Sequence, residues 1–181
     1  MSRAFIGDDQ YDAADDEAPE IKMPIPSGSR NYLTPTGAAR LADELRALET
    51  EERPRLAAEI DKMSKSGGQA SPESLSNARR ALGRADRRME YLSKMASIAE
   101  TVEPPAEGLD RIKFGATATV ADEAGAESTW RIVGVDEADP GHGLIGWTSP
   151  IARALIGKKP GDEAVAKLPE GERRYVVVSV C

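Results

Sequence analysis

At 181 residues, with 40% apolar, 30% charged and only 4% aromatic side chains, the chain suits long solvated helices beside a small core better than one large globular core. A net charge of −7 argues against a protein that coats nucleic acid through bulk positive charge. Cys181 is the single cysteine, which excludes a disulfide framework or a thiolate zinc site built from this chain alone, and the sequence offers no apolar run long enough for a membrane span, so a reducing, cytoplasmic setting is expected.

Residues 1–30 carry Asp8, Asp9, Asp12, Asp15, Asp16, Glu17 and Glu20, then Pro24 and Pro26, with too little apolar content to repay the entropy of ordering. A disordered acidic tail is expected, and docking on a basic partner surface is its sharper alternative. Thr34 before Pro35 then signals a helix start, a cap followed by a proline at the first helical position. Leu41, Leu45 and Leu48, and again Leu56, Ile60 and Met63, step by four and three along one helical face. Pro54 lies between the two sets, so a kink or break is predicted there.

The second helical run is uninterrupted: Leu75, Ala78, Leu82, Ala85, Met89, Leu92, Ala96 and Ala99 form a heptad seam. Between the runs, Ser66 to Pro72 supplies a stop at Gly67 and Gly68, and a new start with Ser71 as cap and Pro72 as first residue. Two antiparallel helices joined by a tight turn follow, a coiled-coil hairpin over residues 31–103 whose tip stands roughly 40 Å from its base at about 1.5 Å per residue. Glu103-Pro104-Pro105 ends the second helix, and residues 104–112 form a linker.

Residues 113–181 switch to short strand-like runs, Thr117 to Val120, Trp130 to Val135 and Tyr175 to Val180, with one short helix from Ser149 as cap to Gly157 as stop. The fold class expected is α+β, a helical hairpin followed by a small β-rich domain. His142 lies between two glycines and reads as a mobile loop residue, and one histidine makes neither a triad nor a metal site. Trp130 and Trp147 are expected in core or sheet packing.

Over Tyr32 to Val180 these blocks resemble the GreA/GreB family of transcription elongation factors. Glu52-Arg53-Pro54 and Asp86-Arg87-Arg88-Met89-Glu90-Tyr91-Leu92 resemble the family's hairpin. Phe114-Gly115, Ile132 to Asp139 and Ser149 to Lys158 resemble its FKBP-like domain. The resemblance implies a partner, bacterial RNA polymerase, with the hairpin entering the secondary channel and the second domain gripping the channel rim. It places the rim contacts at Asp136, Asp139, Ser149, Pro150 and Ile151, although Ser149 and Pro150 also read simply as a well-capped helix. No cofactor, resident metal or catalytic residue is implied, and a monomer is expected.

In the family, an Asp and a Glu at the hairpin tip help the polymerase hold a second magnesium ion, a task suited to hard carboxylate oxygens. Without gaps between Pro54 and Asp86, those positions fall here on Gly68 and Ser71, and Glu73 is the nearby carboxylate, flanked by Lys62 and Lys65 on the opposite run. The expectation is a channel-binding regulator of elongation that does not stimulate transcript cleavage. The alternatives are an active cleavage factor using Glu73 at an altered tip of Gly67, Gly68, Ser71 and Glu73, and an FKBP-like prolyl isomerase or binding module. Against the isomerase stands the low aromatic content, since a proline pocket needs aromatic walls. A regulator of another enzyme, like some short relatives of the family, is a further reading, weakened by the full hairpin. Arg79, Arg80 and Arg84 read equally as a solvated face and, from the resemblance, as a basic patch near the extruded RNA 3′ end, where arginine forks suit phosphate. Arg87 and Arg88 are candidates to pair with hairpin acids such as Asp43 or Glu44.

Overall fold

The computed structural model describes residues 21–65, 71–105 and 108–181. Gly67 and Gly68, and the acidic residues up to Glu20, lie outside them.

The chain joins the folded body earlier than a tail boundary at residue 30 implies, because Ile25 is 9% exposed and packs with Leu33, Leu41, Leu92 and Met95. Strand β1 (Asn31–Leu33) leads into α1 (Pro35–Ala47), where Thr34 caps as predicted and its hydroxyl accepts the Gly37 N–H at 3.1 Å. Pro54 has no N–H to give and crowds the carbonyl four residues back. The helix is nevertheless continuous: residues Leu48–Glu52 form a π-helical turn in which the Arg53 N–H donates to the Leu48 carbonyl, and α2 follows at Arg53–Lys65. That turn re-phases the seam. At about 100° per residue, the eight steps from Leu48 to Leu56 overshoot the face by roughly 80°, and a π turn absorbs about one residue of that rotation. Both leucines are accordingly buried, at 7% and 6% exposure.

Helix α3 (Pro72–Ser97) runs back along α1 and α2, and Ala78, Ala85 and Leu92 are buried at heptad spacing. Past Leu92 the expected seam fails: Met95 is fully buried while Ala96 and Ala99 are exposed. The helix also stops at Ser97, short of the prolines. The cause is β1. The Asn31 amide N–H takes the Ile98 carbonyl at 2.8 Å, its side-chain Nδ2 takes the Met95 carbonyl at 3.2 Å, and residues Ala99–Thr101 pair with it in parallel as β2. Carbonyls that a longer helix would have used internally are thus satisfied by a strand.

The second part is a sheet of five strands in the order β5-β4-β3-β7-β6, formed by β3 (Thr117–Asp122), β4 (Glu127–Val133), β5 (Leu144–Gly146), β6 (Glu163–Leu168) and β7 (Gly171–Val180). Neighbours are antiparallel except β4 and β5, and a bulge interrupts β3–β7 between Thr119 and Val120. One face buries Ala118, Val120, Ile132, Ala164, Ala166, Tyr175 and Val177 together with Ala152 and Leu155 of α4 (Pro150–Leu155). Among the described residues, no helix is long and apolar enough to cross a membrane.

Candidate functional site

The helical arm and the sheet meet around Glu137, which sits in a 3-10 turn, Val135–Glu137, directly after β4. Its carboxylate accepts the backbone N–H of Thr34 at 3.0 Å and of Gly134 at 3.0 Å, and a short hydrogen bond from the Thr34 hydroxyl. One side chain from the sheet therefore binds the N-cap residue that starts the arm. The approach is close enough to require glycine on both sides: a Cβ on Gly37 or on Gly134 would collide with that carboxylate, and one on Gly134 would also lie 2.9 Å from the Tyr32 carbonyl oxygen. Beside this joint, the rings of Tyr32 and Trp147 meet edge to face at 5.5 Å, and Phe114 lies 6.1 Å from Tyr32. Trp147, expected in core or sheet packing, is thus partly a joint residue.

A second tie runs from α3. The Tyr91 hydroxyl donates to Asp136 at 2.8 Å, and burial together with that hydrogen bond pushes the phenol well above its ordinary range. The Arg88 guanidinium lies over the Tyr91 ring at 5.2 Å and makes a two-pronged ion pair with Glu44 at 2.6 and 2.9 Å. This is the pairing expected of Arg88; Asp43 pairs instead with Arg46 on its own helix. Leu33, Gly37, Arg40, Leu41, Glu44, Arg88, Leu92, Asp136 and Glu137 line a cleft of about 100 Å³ between the two parts.

The proposed rim residues lie along one run that wraps β5. Asp136 is exposed but committed in part to Tyr91. Asp139 precedes a second 3-10 turn, Pro140–His142, and bonds the His142 Nδ1 at 2.7 Å, which holds its carboxyl below the usual range. His142 is therefore tied to a turn rather than loose in a loop. The Ser149 hydroxyl accepts the Ala152 N–H at 3.2 Å as the α4 cap, Pro150 is exposed, and Ile151 is half-buried against the sheet core.

Toward the far end of the arm, the Ser71 hydroxyl is occupied in capping α3, accepting the Ser74 N–H at 3.1 Å, and Glu73 is the one carboxylate of the first turn. Arg79, Arg80, Arg84 and Arg87 are exposed on α3; Arg80 bonds the Asn77 side chain at 3.0 Å, and among the described residues none of the four meets a carboxylate. Their neighbours differ, since Asp86 is taken by Arg53 at 2.8 Å and Glu44 by Arg88.

Glu137 and Tyr91 were not candidates from sequence. A usable signal existed for the first, because Gly134-x-x-Glu137 has the spacing of a capping box with glycine at the cap. None existed for the reach of Glu137 across 103 positions to Thr34.

The molecule is thus a two-part protein, a helical arm with an exposed arginine face clamped at its base to a five-stranded sheet. The family model described as "Transcription elongation factor, N-terminal" matches residues 31–100, and "Transcription elongation factor, GreA/GreB, C-term" matches residues 106–181. The chain belongs to the GreA/GreB family of transcription elongation factors. It is 36% identical over 153 residues to transcription elongation factor GreB of Neisseria meningitidis serogroup B, covering 84% of this chain and 94% of that protein. It is 42% identical over 149 residues to GreA of Cereibacter sphaeroides, covering 82% and 95%. Among solved structures, Gfh1 of Thermus thermophilus matches at 23% identity with a TM-score of 0.39, covering 84% of this chain and 99% of that one.

Proposed function

We propose that this elongation factor binds RNA polymerase through the loops around β5 and α4, inserts its helical hairpin into the secondary channel, and modulates elongation without stimulating transcript cleavage. Asp136, Asp139, Ser149, Pro150 and Ile151 form the grip on the channel rim, on a domain read as FKBP-like. Arg79, Arg80 and Arg84 face the extruded RNA 3′ end.

The observation that carries the absence of cleavage is the chemistry at the start of α3. Ser71 spends its hydroxyl on the helix cap, and Glu73 is a lone carboxylate in that turn, where it favours the helix dipole. A second magnesium ion calls for more than one hard oxygen ligand. With Gly68 at the other tip position, the chain supplies at most one.

The test is RNA cleavage in a reconstituted backtracked elongation complex with the cognate polymerase, together with competition against an ordinary Gre factor. Competition without stimulated cleavage is the expected result. Cleavage that Glu73→Gln abolishes would establish the alternative, an active factor with an altered tip. Competition lost on Asp139→Ala and Ser149→Ala is expected if the β5–α4 run forms the grip.

A further inference from the structure

The acidity of this protein is almost entirely local. Residues 1–20 hold seven carboxylates against one arginine, which leaves residues 21–181 within one charge of neutral. On that nearly neutral body, Arg79, Arg80, Arg84 and Arg87 form a concentrated positive face, exposed and without a carboxylate partner among the described residues. Arg80, Arg84 and Arg87 step by four and three, so they line one stripe of α3 about 10 Å long. The other arginines beside this stripe, Arg53 and Arg88, already hold Asp86 and Glu44.

We propose that the acidic leading segment, Asp8 to Glu20, docks on the arginine stripe of α3 and occupies it in competition with phosphate-bearing ligands. The point of attachment makes this possible. Ile25 is anchored at the arm base in the same cluster as Leu92. From Leu92 to Arg80 is twelve residues along α3, about 18 Å at 1.5 Å per residue. The thirteen residues from Asp8 to Glu20 span roughly 40 Å when extended, so the carboxylates reach the stripe without being stretched.

Energetically, each exposed ion pair is weak on its own. The segment is part of the same chain, so its pairs form intramolecularly, and several weak pairs in parallel multiply into a several-fold preference for the docked state at low salt. Screening releases them as the Debye length falls below about 10 Å. Docking stands on charge, exposure and reach; only the competition with RNA rests on the reading of the stripe as RNA-proximal.

The test uses the full chain and a variant in which the seven acids are neutralised: Asp8→Asn, Asp9→Asn, Asp12→Asn, Asp15→Asn, Asp16→Asn, Glu17→Gln and Glu20→Gln. Backbone amide NMR spectra of the two are compared at low and high salt, and each protein is titrated with a single-stranded RNA oligonucleotide. Docking predicts shifts confined to the neighbourhood of Arg79 to Arg88 that collapse in high salt, with β6 and β7 unchanged. It predicts RNA binding about three- to tenfold tighter for the variant at low salt. Unchanged α3 resonances overturn the proposal, even if RNA binding tightens, since that result means long-range repulsion without contact. Localised shifts with no change in RNA binding confirm docking and overturn the competition.

Discussion

Replacing Glu137 by alanine removes the acceptor that ties the arm to the sheet. Three donors lose their partner: the backbone N–H groups of Thr34 and Gly134, each at 3.0 Å, and the Thr34 hydroxyl. Hydrogen bonds to a charged acceptor are worth about 1.5–3 kcal/mol each, and water entering a half-buried site recovers part of that. The expected loss is therefore roughly 2–4 kcal/mol for Glu137→Ala. With a urea slope of about 2 kcal/mol/M, the unfolding midpoint falls by roughly 1–2 M. The same geometry reverses the sign of a second substitution. Ala for Gly inside a helix ordinarily stabilises by up to about 1 kcal/mol, but a Cβ at position 37 would occupy the space of the Glu137 carboxylate. Gly37→Ala is thus expected to destabilise the native protein and to become neutral or stabilising once Glu137 is alanine, a coupling read by a double-mutant cycle. Urea unfolding followed by circular dichroism and by tryptophan fluorescence measures all four corners. A cost below about 0.5 kcal/mol for Glu137→Ala, or the same sign for Gly37→Ala in both backgrounds, would refute the joint as described.

Two further outcomes follow from the ties beside that joint. The hydrogen bond from Arg88 holds the Glu44 carboxyl below its ordinary range, so the pair contributes stability above the unfolded carboxylate pKa of about 4.3 and loses it as pH falls through the lower folded value. The stability gap between the native protein and Glu44→Gln should therefore close between about pH 5 and pH 3, and because both side chains are nearly half exposed it stays within about 1 kcal/mol; a pH-independent gap counts against the pairing. Tyr91 is shifted the other way, upward through burial and its bond to Asp136, so its contribution is complete below the ordinary phenol pKa of about 10 and is lost as pH rises beyond it. The Tyr91→Phe protein should lack that alkaline loss, and an ultraviolet phenolate titration should show one fewer late-titrating tyrosine than the native chain.

The helix starts at Thr34, Ser71 and Ser149 were legible because a cap followed by proline is a local code, and each hydroxyl accepts the expected backbone N–H. The seam of α3 was legible through Leu92 for a similar reason, periodicity being intrinsic to the sequence. What sequence could not supply was anything decided across a long separation. The end of α3 is set by Asn31, 64 positions before the Met95 carbonyl it takes, and the edge strands β5 and β6 are too short or too rich in alanine to stand out. Pro54 was read correctly as a disturbance but not as a π turn, because the turn is the solution to keeping Leu48 and Leu56 on one face, and that face exists only once α3 is in place. At the candidate site family resemblance nominated individual residues, whereas their commitments to one another were not legible. Asp136 as an acceptor for Tyr91 and Asp139 as a partner of His142 are visible only in three dimensions.

Those commitments bear on how the polymerase grip is to be dissected. Asp136 belongs both to the loop run proposed to meet the channel rim and to the tie that seats α3 on the sheet. Its adjacent residue, Glu137, holds the start of α1. The surface proposed to dock and the joint that orients the arm therefore share one short segment after β4, and an arm inserted into a channel is sensitive to its angle in proportion to its length. Loss of polymerase binding in Asp136→Ala alone is ambiguous between a missing contact and a misdirected arm. Tyr91→Phe separates the two, because it releases the tie while leaving the Asp136 carboxylate on the surface. Equal defects in both variants place the effect in the joint; a defect confined to Asp136→Ala places it in the contact. Among the described residues Asp139 and Ser149 carry no bond to the arm, so their substitution reports on the grip directly.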